Sequence, residues 1–170
     1  MVRAGERRKM FDLFGEFNSA EEINKAAEGF KNEGDIESLK KMAAENGIDE
    51  TFADMYVSGE MPEFCDVAMA AIGKITIEAA ELKPVEIMED WTEYIKTSCM
   101  DDRGLAVAVR SKGKTLKGCM GAILKWSFDN RYKVDVDIIK AAGIKNARVE
   151  EGIPGMGRAK KLIKEYYLGK

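Results

Sequence analysis

A chain of 170 residues, 45% apolar and 34% charged, is long enough for one domain or two small helical subdomains and too apolar for global disorder. It contains no histidine, which removes the commonest general base, the commonest transition-metal ligand and the usual partner of a serine or cysteine nucleophile. Its three cysteines, Cys65, Cys99 and Cys119, lie 34 and 20 residues apart, a spacing that suits neither a disulfide framework nor a paired zinc knuckle.

Arg3, Arg7, Arg8 and Lys9 run straight into the mixed segment 10–17, unlike a signal peptide, and no apolar stretch approaches the ~20 residues that would span a bilayer. The expectation is a cytoplasmic protein with reduced cysteines, no cofactor, no metal and no membrane partner. The net charge of −3 conceals a strong polarity. Residues 1–100 carry 11 Lys and Arg against 22 Asp and Glu, a net of −11. Residues 101–170 carry 16 against 8, a net of +8. On charge the chain divides into an acidic helical part, 1–100, and a basic helical part, 101–170, forming one domain or two packed subdomains. Asymmetry on this scale bears on partners and association rather than on fold.

In chain order, residues 1–10 are basic and expected to be loose, with the apolar Phe11, Leu13, Phe14 and Phe17 behind them. Ser19 and Glu22 have the spacing of a capping box, and Ile23, Ala26, Ala27 and Phe30 supply the stripe of the helix that follows. Gly34 ends it. Asp35 caps a second helix bearing Ile36, Leu39, Met42 and Ala43, which stops at Asn46-Gly47. Asp49 begins a third, with Phe52, Met55 and Tyr56, ending near Gly59. Pro62 suits the first turn of a helix through Ile75, although the β-branched run Ile75-Thr76-Ile77 also fits a short extended piece. Pro84 opens the clearest helix, with Ile87, Met88, Trp91, Tyr94, Ile95, Cys99 and Met100 at helical spacing. Leu105, Val107 and Val109 follow, ending near Gly113. Thr115 caps a helix through Phe128, Asp135 or Asp137 starts a short one to Gly143, and a last helix runs to about Leu168. The expected fold is mainly α, a compact bundle of about eight short helices with room for a minor β pair.

No constellation points to catalysis. Glu89-Asp90 and Asp101-Asp102 are adjacent, and neighbouring helical side chains diverge by about 100°, so they read as solvated surface rather than a metal pair. Gly113-Lys114-Thr115 imitates the end of a phosphate-binding loop, but position 108 is Ala108 where that loop needs glycine, and no strand precedes it. The chain is therefore expected not to be an enzyme.

Two surfaces carry the binding hypotheses. Glu21, Glu22, Glu28, Glu33 and Glu37 form an acidic face on the first two helices, suited to a basic protein groove. On the basic side, Ile153-Pro154-Gly155-Met156-Gly157 resembles the hairpin of helix-hairpin-helix DNA-binding modules, in which Gly155 and Gly157 would let backbone amides approach a phosphate. Arg158, Lys160, Lys161 and Lys164 follow, with Lys114 and Lys117 as further basic candidates. Ala159 comes early for that pattern and no helix runs into Ile153. The plainer alternative is a tight turn with glycines at positive φ, followed by lysines on a solvated face. The charge polarity likewise admits three readings: segregated solvated faces, phosphate binding by the basic part, or docking of the acidic part on a basic protein.

The segment Lys114-Thr115-Leu116-Lys117-Gly118-Cys119-Met120 and the terminal Tyr166-Tyr167-Leu168 resemble PcfK-like proteins of phages and conjugative elements. That set includes anti-CRISPR proteins that bind the type II RNA-guided nuclease. The acidic helical opening, residues 14–47, is similar to small anti-CRISPR proteins of bacterial mobile elements. The resemblance implies a non-enzymatic inhibitor whose partner is the nuclease with its guide RNA, blocking target binding or cleavage in the host bacterial cell. It carries no catalytic residue. The competing expectation is a mobile-element accessory protein that binds DNA or RNA through 155–164.

Overall fold

A computed structural model describes residues 10–145 and 147–169. Apart from Met10, the basic opening discussed above lies outside the described residues. Side-chain caps decide where the first helices begin. Ser19 Oγ accepts the Glu22 N–H at 3.2 Å and starts α1 (Ala20–Glu33), while the Glu22 carboxylate reaches back to the Asn18 N–H at 2.6 Å. The reciprocal pair thus clamps one residue further out than the usual capping box. Asp35 Oδ1 accepts the Ser38 N–H and starts α2 (Ile36–Glu45). Asp49 Oδ1 takes both the amide and the hydroxyl of Thr51 ahead of α3 (Thr51–Ser58).

Beyond Gly59 the boundaries depart from the sequence reading. Pro62 does not open a helix. Asp66 Oδ1 caps α4 by accepting the Met69 N–H at 2.7 Å, and α4 runs Val67–Leu82 without interruption. Ile75-Thr76-Ile77 is therefore helical, because Ala70, Ala71, Gly73, Lys74, Ile75 and Glu78 are all buried and packing overrides β propensity. Pro84 is not in a helix either. Lys83 (φ 52°) and Glu86 (φ 53°) are both left-handed, so the chain turns twice before α5 (Ile87–Asp101) begins. Trp91, Ile95 and Cys99 of its stripe are buried, whereas Met100 is exposed. Asp102 then caps α6 (Arg103–Arg110) through the Leu105 N–H at 2.9 Å.

Two compact units result, the first running to Lys117 and the second starting at Gly118, inside α7 (Leu116–Asp129). The structural boundary lies beyond the change of charge at residue 100, since α6 packs on α4 and α5. In the first unit α4 is central, touching α1, α5 and α6, while α1, α2 and α3 pack in sequence.

Its interior is partly ionic. Lys74 is fully buried; its Nζ donates to the Ser111 carbonyl (2.8 Å) and the Lys114 carbonyl (2.7 Å) and pairs with Glu16 Oε1 (2.8 Å). Arg110 is 1% exposed, and its guanidinium donates to Phe17 O (3.1 Å), Ala70 O (3.3 Å) and Asn46 Oδ1 (2.8 Å). Asn46, itself buried, returns its Nδ2 to Met42 O at 2.9 Å. Beside this network the end of α2 meets α4 backbone to backbone. A Cβ on Gly73 would lie 2.2 Å from Asn46 O, and one on Gly47, already at φ 67°, 2.2 Å from Gly73 O. Glu78 Oε2 accepts the Leu116 N–H at 2.7 Å, so a carboxyl from α4 serves the N-terminus of α7.

The second unit contains the rest of α7, β1 (Tyr132–Lys133), α8 (Val136–Ala141, capped by Asp135), β2 (Glu150–Glu151) and α9 (Met156–Leu168). The two strands pair antiparallel, Tyr132 opposite Glu151 and Lys133 opposite Glu150. The described residues therefore form nine helices and one two-stranded sheet, a mainly helical fold with a minor β pair. The pair falls at 132–133 and 150–151, not at Ile75–Ile77. No described helix is long and apolar enough to cross a membrane.

Removing Arg110 takes a donor from three neutral acceptors, one of them the buried Asn46 side chain, so Arg110→Met should lose about 1–3 kcal/mol of stability for each acceptor left unsatisfied. Gly73→Ala should cost at least about 1–3 kcal/mol because only backbone surrounds the new methyl. Urea unfolding of each variant checks both, with Glu93→Ala on the exposed face of α5 remaining within about 0.5 kcal/mol of the parent. Glu78 supplies a pH test. Burial raises its pKa above the ordinary carboxyl value, against the opposing Leu116 hydrogen bond and the charge of Lys74. A raised folded pKa gives stability that is complete below about pH 4 and is lost as pH rises through the folded value. The stability of Glu78→Gln relative to the parent should therefore increase from pH 4 to pH 7. The carboxylates of Glu21, Asp35 and Asp49, held below their ordinary values by hydrogen bonds, are common to both proteins and cancel in the difference.

Candidate functional site

Carboxylates from two separate segments of the first unit come together where α1 faces the connection between α3 and α4. Asn24 fixes that geometry. Its Nδ2 donates to the Cys65 carbonyl at 2.8 Å and its Oδ1 accepts the Cys65 N–H at 2.9 Å, so one amide side chain clamps both backbone groups of a residue 41 positions away. This two-way bond is also why residues 62–65 are not helical: the Cys65 amide is committed across the groove.

The clamp leaves a cleft of about 400 Å³ lined by Glu21, Asn24, Lys25, Glu28, Tyr56, Pro62, Glu63 and Phe64. Three carboxylates, Glu21 and Glu28 from α1 and Glu63 from the connection, meet over an apolar floor. Phe64 is fully buried and stacks edge-on against Tyr56 at 6.0 Å between ring centres. Burial, with the charge of Glu28 added, raises the Tyr56 hydroxyl above its ordinary pKa. Lys31 covers the other side of that ring, 4.4 Å from its centre, and donates to the Tyr56 carbonyl at 2.9 Å. The arrangement is an acidic rim over a buried aromatic floor.

Of the five acidic residues singled out from the sequence, the structure brings Glu21 and Glu28 into the cleft. Glu22 is a cap for Asn18, Glu33 is exposed at the end of α1, and Glu37 is exposed and paired with Lys41 at 2.6 Å. Asn24, Tyr56 and Glu63 were missed. Periodicity gives the face a residue occupies within its own helix and says nothing of which loop that face meets.

On the basic side, Arg158, Lys160, Lys161 and Lys164 are exposed on α9, opposite the buried Ala159 and Ile163. Arg158 lies 5.5 Å from the Trp126 ring. Gly155 is extended (φ −60°, ψ 160°) and neither it nor Gly157 has a positive φ, so a turn built on left-handed glycines is not what occurs. The element before the hairpin-like sequence is the strand β2, and a helix-hairpin-helix needs a helix there. Both glycines face open space. Lys114 and Lys117 belong to the first unit, where Lys114 contributes its carbonyl to Lys74.

The cysteines are free and buried, each thiol pushed up to about 12 by desolvation, which makes them inert packing groups at neutral pH. Among the described residues no cluster of three or more cysteine or carboxylate side chains is arranged to hold a metal. Comparison with protein-family models, curated proteins and solved structures gave no match to this chain.

Proposed function

We propose that this protein is a non-enzymatic inhibitor that binds the type II CRISPR nuclease, alone or with its guide RNA, and blocks target DNA binding or cleavage. The observation that carries the reading is the acidic cleft of Glu21, Glu28 and Glu63 over Tyr56 and Phe64. Nucleases of this class hold guide and target in positively charged channels, and a fixed array of carboxylates complements such a channel. The Tyr56 floor adds an aromatic anchor of the kind that supplies most affinity at interfaces, while the rim charges act on association rate. The partial resemblance to anti-CRISPR proteins supports the same partner.

Triple reversal of Glu21, Glu28 and Glu63 to Lys should slow association with the nuclease about tenfold or more at low salt, with the difference shrinking as salt rises. Inhibition by the parent should saturate at a fixed ratio to nuclease. A cleavage assay titrated with inhibitor, alongside surface-binding kinetics, measures both. Full cleavage at large excess of this protein would end the proposal, and inhibition well below stoichiometry would indicate turnover.

A second reading, nucleic-acid binding by the second unit, is favoured by the four exposed cations of α9 beside the Arg158–Trp126 contact. Replacing Arg158, Lys160, Lys161 and Lys164 with Ala should then weaken duplex binding and flatten its salt dependence by about 0.9 per lost phosphate contact. An unchanged slope assigns these residues to a solvated helix face.

A further inference from the structure

A second concavity of about 250 Å³ lies at the C-terminal end of α4, lined by Met10, Glu78, Glu81, Leu82, Thr115 and Lys117. One incomplete bonding arrangement sets its chemistry. Glu78 is 5% exposed, and its Oε2 accepts the Leu116 N–H, but its Oε1 is buried and has no hydrogen-bond partner. A buried carboxyl oxygen without a donor is costly, and in folded proteins such atoms are nearly always satisfied. Two described cations that act on Glu78 are committed elsewhere: Lys74 to two carbonyls and Glu16, Arg110 to Phe17, Ala70 and Asn46.

The lining specifies what would satisfy that oxygen. Glu81, exposed and three residues beyond Glu78 on the same helix face, places a second carboxylate about 5–6 Å along at the level of Cβ. Leu82 and Met10 add aliphatic walls. Among the described residues Lys117 is the one cation in the lining, against the two carboxylates Glu78 and Glu81. We propose that this cavity is a recognition site for an arginine side chain presented by a partner protein. The guanidinium fork donates to Glu78 Oε1 and to Glu81, and its methylene stem lies along Leu82 and Met10. A planar group with five donors can serve two carboxylates at once, whereas an ammonium is a point charge that serves them less well. The site shares no lining residue with the acidic cleft, and its assignment does not depend on which protein the partner is.

The test uses three small probes on the full chain: the N-acetyl, N′-methylamide derivatives of arginine, lysine and citrulline. Citrulline keeps the shape of arginine and loses its charge. Backbone amide shifts followed by NMR should titrate around Leu82, Thr115 and Leu116, with arginine binding about tenfold or more tighter than citrulline and tighter than lysine. Glu78→Gln keeps a carbonyl oxygen for the Leu116 N–H and should weaken arginine about tenfold or more. Glu81→Gln, at an exposed position where folding is not at stake, should weaken it severalfold. Citrulline or lysine binding as tightly as arginine, or Glu81→Gln and Glu78→Gln both leaving the affinity unchanged, would overturn the assignment.

Discussion

Two cations removed from solvent, Arg110 and Lys74, tie together segments of the first unit that lie far apart in sequence. Arg110 reaches the segment before α1, the end of α2 and the body of α4, three places far apart in sequence. Lys74 joins α4 to the turn after α6 and to Glu16. Desolvation lowers the Arg110 pKa, a measure of how strongly its surroundings resist the charge. The guanidinium starts so high that it stays protonated, and three acceptors make its burial tolerable. An apolar side chain of similar volume could fill the space but could not bond two carbonyls and an amide at once. The network therefore fixes which helices meet, and apolar packing fills in around it.

That arrangement also sorts the charges of an acidic unit. Glu16 and Glu78 turn inward to meet the buried cations or a helix terminus, while Glu21, Glu28 and Glu63 remain outside with no buried cation to compensate them. The carboxylates available to a partner are thus the exposed ones of the cleft, of which Glu21 is also hydrogen-bonded to Ser19. Their spacing is fixed by the Asn24 clamp, so the cleft is preformed, which limits the ordering cost of docking. Glu22 and Glu37 are engaged locally, by the Asn18 amide and by Lys41, and neither lines the cleft.

The second unit is organised differently. Its buried set includes Cys119, Ile123, Ala159, Ile163 and Tyr167, while Leu124, Phe128, Tyr132, Val136, Ile138, Ile144 and Ile153 are exposed. Arg131 stacks 4.2 Å from the Phe128 ring and donates to its carbonyl, covering part of that apolar surface with a charged group. Gly152 allows the chain just after β2 to lie directly against α7, since a Cβ there would meet Ser127 O at 2.3 Å. Close backbone approach at glycine recurs in both units, at Gly73 and at Gly152.

The sequence by itself determined what depends on near neighbours. Ser19, Asp35 and Asp49 set helix starts because a short polar side chain bonds amides two or three residues on, and that geometry is written locally. Gly34, Gly59 and the apolar stripes of α1, α2 and α5 were legible for the same reason, as was the division of charge between the two ends of the chain. Pro62 and Pro84 misled because proline permits a first helical turn without requiring one, and the deciding partners, Asn24 for Cys65 and the paired left-handed residues Lys83 and Glu86, are tertiary or conformational. The burial of Arg110, Lys74 and Asn46 was not legible, since nothing in helical periodicity marks a polar position as buried. Half the acidic cleft was legible as Glu21 and Glu28. Its other half, Tyr56 and Glu63, comes from a segment some 30 residues away. Only packing places them together, because burial and long-range hydrogen bonding are properties of the assembled helices and not of any one of them.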